Sequence, residues 1–329
     1  MKRLAGSQRW ALRTLASVMG GRTGANRLLV LHYHRVAPVA DELFPDDLCP
    51  ERFDQHLQLL QDAYRPLPLT EALERLERRS LPARAVCITF DDGYADNHDI
   101  ALPILQRRGI AATFYIATGF MRGANMFNDV VIESLRNASG SIDLAALDLG
   151  RYVIDTVASH RAAIDAVITQ VKHAAVTRRA ELVDEIRRRY PPATERSLMM
   201  SETQIKALHA AGMEIGAHTV SHPILLRLDP TASQREIVQS RADLEAIVAA
   251  PVTSFAYPNG RPGFDYEALH VAQARTAGFK YALTTSWGCI HADSDRWQLP
   301  RVAPWDRTSV RFAARLALTY RDTQPAVAS

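Results

Sequence analysis

Two adjacent aspartates, Asp91 and Asp92, follow an apolar run and precede a glycine. Neighbouring side chains of a regular strand point to opposite faces, but a turn at Gly93 can bring both carboxylates to one cavity. Two carboxylates side by side repel each other unless a cation or a proton separates their roles. The pair therefore indicates either an acid–base site that works with a cation or, as the simpler alternative, the cap of a helix that starts near residue 96.

Two histidines four residues apart, His218 and His222, follow another apolar run. Imidazoles at this spacing can bind one metal ion. A zinc protease has a glutamate directly after the first histidine, whereas Thr219 stands here, so the general base has to come from elsewhere, and the aspartate pair offers one. Two histidines and one carboxylate leave ligand positions open for water and substrate. A lone histidine is more often structural, but the two motifs together predict a metal site.

The segments around these motifs alternate short apolar runs with helical patterns. The apolar runs predict buried strands at residues 28–33, 85–90, 112–116, 213–217, 253–257, 281–284 and 299–302. The helical patterns lie at residues 51–63, 97–107, 202–210, 233–249 and 266–277. Three of these helices end at a glycine that a strand follows directly: Gly109, Gly212 and Gly278. This order predicts βα units in a parallel sheet or barrel, where sites lie at the carboxyl ends of the strands.

The region at about residues 125–200 lacks this alternation and shows no clear strand, and residues 158–189 form one long charged helical pattern. We interpret it as a helical insertion into a barrel domain of residues 28–305. The insertion serves either as a buttress or as a lid or docking surface. Residues 306–329 are predicted to form a C-terminal helix and tail.

The first 27 residues are basic, and no Asp or Glu precedes Asp41. An amphipathic helix is predicted there, which either caps the domain or contacts an anionic membrane surface through residues 1–20. Arg9 and Arg13 interrupt the segment where a secretory signal needs an apolar core. The sequence contains no stretch of about 18 apolar residues, so no membrane-spanning helix is expected. We therefore expect a location in the cytoplasm or at the cytoplasmic face of the membrane.

The bulk composition excludes some classes of protein. The 329 residues are enough for one large core, and the net charge of +3 does not call for a nucleic acid partner. Three cysteines form no even framework, which argues against a disulfide scaffold.

Residues 89–93 (Thr-Phe-Asp-Asp-Gly) and 218–222 (His-Thr-Val-Ser-His) are similar to the first two motifs of the polysaccharide deacetylases. These are also known as NodB-homology domains or family 4 carbohydrate esterases. The resemblance covers roughly residues 28–305 apart from the insertion. It implies an α/β fold, a distorted (β/α)7 barrel, with one divalent metal ion, usually Zn²⁺. It also implies a glycan partner, from which N-acetyl groups of N-acetylhexosamine units are hydrolysed.

The family pattern assigns roles to the residues of both motifs. Asp91 is the catalytic base, and the metal ligands are Asp92, His218 and His222. Thr219 supports the loop of the second histidine by hydrogen bonding.

The third motif, at residues 255–260, departs from the usual family form, because Ala256 stands near the place of an arginine that orients the base. The version Phe-Ala-Tyr-Pro-Asn-Gly is similar to the branch that acts on bacterial exopolysaccharides. A backbone N–H of this segment can help bind the oxyanion. The candidates for substrate or oxyanion binding are Tyr257, Pro258, Asn259 and Gly260. Arg301 is the candidate for the replacement arginine, the alternative being a surface salt bridge.

The usual C-terminal histidine motif is missing, since no histidine follows His291. Residues 31–36 (Leu-His-Tyr-His-Arg-Val) are similar to a signature of the exopolysaccharide branch, in which a first-strand histidine replaces the late one. His34 is accordingly assigned as the general acid. Strand alternation places His32 on the same face, so geometry alone does not separate the two. His32 is interpreted as a structural neighbour.

Two other functions compete with deacetylation of a polysaccharide. The same barrel can host another amidase, including one that deacetylates a lipid-linked amino sugar. A second alternative, an inert glycan-binding domain, does not need the complete set of base and ligands that this chain retains.

Overall fold

The structure is a computed structural model that describes residues 6, 10, 11, 13, 14 and 17 near the N-terminus, and residues 26–39, 41–44, 47–193, 197–304, 306 and 308–328. The predicted basic helix of residues 1–27 lies largely outside the described residues. Across these ranges, no helix combines the length and the apolar character that crossing a bilayer requires.

Within the described residues, the main sheet has eight strands. Their bounds are β1 Arg27–Tyr33, β2 Arg65–Pro66, β3 Ala85–Phe90, β4 Thr113–Ile116, β7 Glu214–Ala217, β8 Ser254–Ala256, β9 Tyr281–Leu283 and β10 Ile290–His291. The order is β10-β1-β3-β4-β7-β8-β9, with β2 beside β3. Among these eight strands, only β10 runs antiparallel to its neighbour. All six residues of β3 are buried, which is why this strand is a continuous apolar run.

Residues 299–302 close the sheet into a distorted (β/α)7 barrel. Leu299 bridges Leu283 of β9, and Val302 bridges Leu31 of β1, both in parallel orientation. The predicted strand at residues 299–302 is thus a short segment with one bridge on each side. Because this segment lies between β9 and β1, it brings Arg301 beside the first strands of the chain.

Helices cover the sheet, as the βα pattern predicts. They are α1 Pro50–Ala63, α2 Leu69–Glu77, α3 Leu102–Arg108, α7 Glu202–Ala210, α8 Pro230–Val248, α9 Ala268–Thr276 and α10 Ser309–Thr319. A π-helical turn at Asn97–Ala101 leads into α3, which ends at Gly109 in the left-handed conformation (φ 60°). Ser201 caps α7 through a capping box with Gln204. Helix α2 and the two-residue strands β2 and β10 were absent from the sequence prediction.

A second compact unit consists of Val39–Asp47 and Arg122–Met199. It contains α4 Phe127–Leu135, β5 Gly140–Asp143, β6 Arg151–Ile154, α5 Val157–His173 and α6 Val176–Arg189. The prediction that this region has no strand is wrong, because β5 and β6 pair as an antiparallel hairpin. Each strand buries one residue, Ile142 or Ile154, so neither forms an apolar run. The long predicted helix is two helices, since Ala174 leaves the helical conformation (ψ 154°).

Candidate active site

The turn after β3 carries the two aspartates. Asp92 (φ 76°) and Gly93 (φ 91°) are both left-handed, so the chain reverses direction immediately after the strand. Such a backbone conformation costs a non-glycine residue about 1 kcal/mol or more and is concentrated at functional sites. Asp91 keeps its N–H in the sheet, where it donates to Tyr33 O at 2.9 Å. The Asp92 side chain caps no helix and instead faces the histidines described next.

The loop after β7 carries the two histidines and also contains left-handed residues, Thr219 (φ 64°) and His222 (φ 51°). The Thr219 hydroxyl accepts a hydrogen bond from the His222 N–H at 3.2 Å and donates to the His218 carbonyl. The side chain of Thr219 thus closes the loop on itself, which is the support that the family pattern implies.

Three side chains of these loops converge on one point. Asp92 Oδ1 lies 3.4 Å from His218 Nε2 and 3.3 Å from His222 Nε2. The ligand atoms of the three residues lie within 4.8 Å of one another. Asp92 Oδ1 is buried and has no hydrogen-bond partner among the described residues. A buried, unpartnered carboxylate oxygen facing two imidazole nitrogens suits a divalent metal ion.

The protonation states of Asp92 and His222 also suit a metal, whereas burial of His218 is outweighed by Asp92 and Asp91, which raise its pKa. Burial opposes ionisation of Asp92, but the neighbouring His222 and His218 outweigh it and lower its pKa to about 2. Burial lowers the pKa of His222 to about 4, against the attraction of Asp92. At neutral pH the carboxylate is therefore charged and His222 is neutral, which are the forms that bind metal. His218 Nδ1 lies 2.7 Å from Ala256 O, so the ring donates from Nδ1 and presents Nε2 to the cluster.

Arg301 forms a fully buried ion pair with Asp91. Its Nη1 and Nη2 each lie 2.7 Å from one Asp91 oxygen, in a bidentate arrangement. The guanidinium also donates to Thr284 O at 2.9 Å and to Thr89 Oγ1 at 3.2 Å. Burial raises the pKa of Asp91, but the charges of Arg301 and His218 outweigh burial and hold it far below its usual range. The alternative of a surface salt bridge is wrong, because Arg301 is 0% exposed.

The two first-strand histidines differ in environment. Their rings meet edge to face with centroids 5.7 Å apart, and His34 is exposed while His32 is half-buried. Burial, followed by the charges of Arg301 and His34, lowers the pKa of His32 to about 3. The charge of His34 in turn acts on Asp91 and Asp92. His32 is therefore neutral at physiological pH, whereas His34 lies beside the carboxylates at the solvent-exposed edge.

The segment expected to bind the oxyanion offers fewer donors than the sequence suggests. The Tyr257 N–H donates to Leu283 O at 3.1 Å within the sheet, and the Gly260 N–H donates to Pro258 O at 2.6 Å. Proline has no N–H. The N–H groups of Tyr257 and Gly260 are therefore already engaged within the protein, and the part of these residues and of Pro258 in substrate binding stays a prediction. Within the described ranges, Asn259 is the member of the segment whose N–H donates no hydrogen bond.

Sequence reasoning missed a residue that holds the chain after His34. Asp96, 8% exposed, accepts hydrogen bonds from Arg35 Nε at 2.9 Å and from the Val36 N–H at 3.1 Å. Asn97 donates from Nδ2 to His34 O at 2.8 Å. The sequence signal was present in the polar pair Asp96-Asn97 that follows the aspartate turn, but it was interpreted as a helix start.

Comparisons with known proteins agree with this geometry. The family model described as "Polysaccharide deacetylase" matches residues 78–282. YxkH of Bacillus subtilis (strain 168), a provisionally named polysaccharide deacetylase, is 24% identical over 278 residues, or 84% of this chain and 71% of that protein. The Streptococcus pyogenes deacetylase PplD, solved in complex with acetate, has a TM-score of 0.60 and 21% identity over 88% of this chain and 98% of its own. IcaB from Ammonifex degensii has a TM-score of 0.58 and 21% identity over 89% and 97%. The predicted family and fold are confirmed.

Proposed function

The chain belongs to the polysaccharide deacetylase family, and from that premise we propose that it is a metal-dependent enzyme that removes N-acetyl groups from an N-acetylhexosamine-containing glycan. The observation that carries the proposal is that two groups of side chains meet at the end of β3, where Asp91 and Asp92 are adjacent and the charge of His218 acts on Asp91. One is the set Asp92, His218 and His222, and the other is the buried pair of Asp91 and Arg301. The first suits a metal ion, and the second suits a base that is ionised at neutral pH.

Asp92, His218 and His222 would hold the metal ion. When bound, the ion supplies Lewis acidity towards water and towards the acetyl oxygen. Two features of the protein favour metal binding. The hydrogen bond from His218 Nδ1 to Ala256 O leaves Nε2 available as a ligand, and burial keeps His222 neutral. Zn²⁺ is the expected ion, although two nitrogens and one oxygen also suit other divalent metals.

Asp91 acts as the general base and takes the proton of the attacking water. Each of its oxygens accepts one 2.7 Å hydrogen bond from Arg301 and keeps a lone pair for that proton. Protonated His34 gives a proton to the leaving nitrogen, because an amine leaves far more easily than an amide anion. The Asn259 N–H is the backbone candidate for a hydrogen bond to the developing oxyanion. The products are acetate and a free amino sugar, and PplD, the Streptococcus pyogenes neighbour, was solved with acetate.

Acetate release across defined substrates tests this function. The panel comprises N-acetylglucosamine oligomers, an O-acetylated glycan, a lipid-linked N-acetylhexosamine and small amides. We expect acetate and free amine from the oligomers, with loss of activity in chelator and recovery with Zn²⁺. Release from the lipid-linked sugar alone would favour that alternative substrate. Glycan binding without acetate release from any substrate would contradict the proposal.

Asp91→Asn is the variant that separates the base from the metal ligands. We expect it to bind Zn²⁺ in the stoichiometry of the wild type and to lose turnover, since an amide cannot accept the proton. Elemental analysis and the acetate assay on the same sample measure both properties. Turnover at the wild-type rate would show that another group is the base.

A further inference from the structure

Glu236 of α8 reaches the loop that carries the histidines. Its Oε2 accepts hydrogen bonds from the backbone N–H groups of Val220 and Ser221, both at 2.8 Å. Its Oε1 accepts from the Ser221 hydroxyl at 2.7 Å. One carboxylate thus satisfies three donors between His218 and His222. The family motifs discussed above do not include this residue.

The loop needs an external acceptor because of its backbone shape. Thr219 and His222 are left-handed, and this conformation persists only where the surroundings hold it. The N–H groups of Val220 and Ser221 find their acceptor in Glu236, and a donor left without an acceptor away from water is costly. Glu236 therefore offsets the cost of the two unusual conformations that direct His222 towards Asp92.

Helix α8 is a firm base for this contact. Asp229 caps its N-terminus by accepting from the N–H groups of Thr231 and Ala232, both at 2.9 Å. Two turns beyond Glu236, Asp243 Oδ2 accepts from Thr118 Oγ1 at 2.8 Å. Thr118 in turn donates its N–H to Thr219 O at 3.1 Å. The helix thus holds the histidine loop directly through Glu236 and indirectly through Thr118.

We propose that Glu236 is a positioning residue for the metal site: it holds the histidine loop in the conformation that lets His222 and His218 bind one ion with Asp92. The inference rests on the proposed metal-dependent function. Glu236 acts through the length of its side chain, which brings its carboxylate oxygens to the loop, rather than through its negative charge.

Two variants separate reach from charge. Glu236→Gln keeps the length, and its amide can accept from both N–H groups through oxygen and donate to the Ser221 hydroxyl through nitrogen. Glu236→Asp keeps the charge but is shorter by one methylene. Glu245→Asp is the matched control on the same helix, since half-buried Glu245 accepts from Arg241 Nε and the Val252 N–H, both at 3.0 Å.

The experiment measures the Zn²⁺ dissociation constant by competition with a chromophoric chelator, and the visible absorption spectrum after substitution with Co²⁺. Unfolding of the metal-free variants in urea reports any general loss of stability. We expect Glu236→Asp to weaken Zn²⁺ binding about tenfold or more and to alter the Co²⁺ spectrum, as is typical when a partner of a metal ligand is lost. Glu236→Gln and Glu245→Asp should bind Zn²⁺ as the wild type does.

Each outcome decides one claim. Wild-type affinity in Glu236→Asp, or an equal loss in Glu245→Asp, would overturn the role of Glu236 while leaving the metal site intact. A loss in Glu236→Gln as large as in Glu236→Asp would show that charge, not reach, is what matters, and would also overturn it. A wild-type protein that binds neither ion would instead overturn the proposed metal-dependent function.

Discussion

Asp91 and Arg301 are 210 positions apart in the chain and meet through two hydrogen bonds of 2.7 Å. A buried charge without its partner is costly, because burial penalises the ionised form. Removing Arg301 would therefore affect both the stability of the barrel and the protonation of the base.

Arg301→Met tests this dependence. Without the guanidinium, burial raises the pKa of Asp91, so the ionised base is lost as the pH falls, and the acid limb of the kcat/KM profile moves to higher pH. The free energy of unfolding should fall by about 3–5 kcal/mol. Arg315→Met, which breaks the bidentate pair between Arg315 of α10 and Asp306, is the control that should leave the profile in place. An unchanged profile in Arg301→Met would contradict the pairing of base and arginine.

A second prediction concerns which of the two first-strand histidines, His34 or His32, is the general acid. His34→Ala should lose far more turnover than His32→Ala, because a ring with a pKa of about 3 holds no proton to donate near neutral pH. The measurement is kcat on an N-acetylated oligomer at saturating Zn²⁺. A larger loss in His32→Ala would exchange the two roles.

The residues that could be predicted from sequence were those whose type limits their chemistry. The two aspartates, the two histidines and Arg301 were expected to lie together and they do, while their chemical roles stay predictions. The oxyanion donors were less predictable. Whether the Tyr257 N–H is free depends on the pairing of β8 with β9, and the sequence does not specify which donor Leu283 O accepts from.

At the scale of the elements, Gly216 of β7 allows the ring of Tyr115, its register partner on β4, to pack over the strand. A methyl group added there would come within 2.3 Å of the Tyr115 ring. That ring is 0% exposed and lies 5.7 Å from the Arg301 guanidinium. The glycine is therefore required by the close packing of a residue that borders the ion pair.

Gly216→Ala should lower the free energy of unfolding by about 1–3 kcal/mol, since overpacking a rigid core displaces its neighbours. Urea denaturation of the metal-free protein measures the change. Adding Tyr115→Leu makes room for the methyl group, so the double variant should lose less than the sum of the two single variants. Strict additivity would show that the methyl group does not meet this ring.

The strands that could be predicted were the ones buried on both faces, such as β3. The hairpin of β5 and β6 exposes most of its side chains, so its four-residue strands carry no apolar run. The segment at residues 299–302 was expected as a strand, but its role in closing the barrel depends on partners at both ends of the chain.

At the scale of the whole molecule, the sheet order explains how the site is assembled. Strand β3 lies between β1 and β4, and β7 follows β4. The ends of β1, β3 and β7 therefore supply the histidines and aspartates from segments that are far apart in sequence. Hydrophobic patterns predicted a parallel sheet or barrel but not this strand order, and the family resemblance predicted the distorted (β/α)7 barrel.

A buried histidine of the core, His56, makes the stability of the protein depend on pH. His56 is fully buried, its ring stacks on Phe312 with centroids 4.4 Å apart, and Nδ1 lies 3.2 Å from Tyr33 Oη. Burial, followed by the charge of Arg52, lowers its pKa from 6.5 to about 4. Between these two values the unfolded chain binds a proton that the folded protein excludes.

The sign of the effect follows from that difference in bound protons. Stability falls as the pH drops from about 6.5 to about 4, and His56 alone would account for a loss of about 3 kcal/mol across this window. His56→Phe keeps a ring against Phe312 but cannot titrate. The free energy of unfolding is measured in urea at several pH values in the presence of chelator. We expect its slope against pH to be smaller in the variant than in the wild type, by an amount that corresponds to up to one bound proton. An equal slope in the variant and the wild type would mean that His56 binds its proton equally well in both states, and that the acid response arises elsewhere in the core.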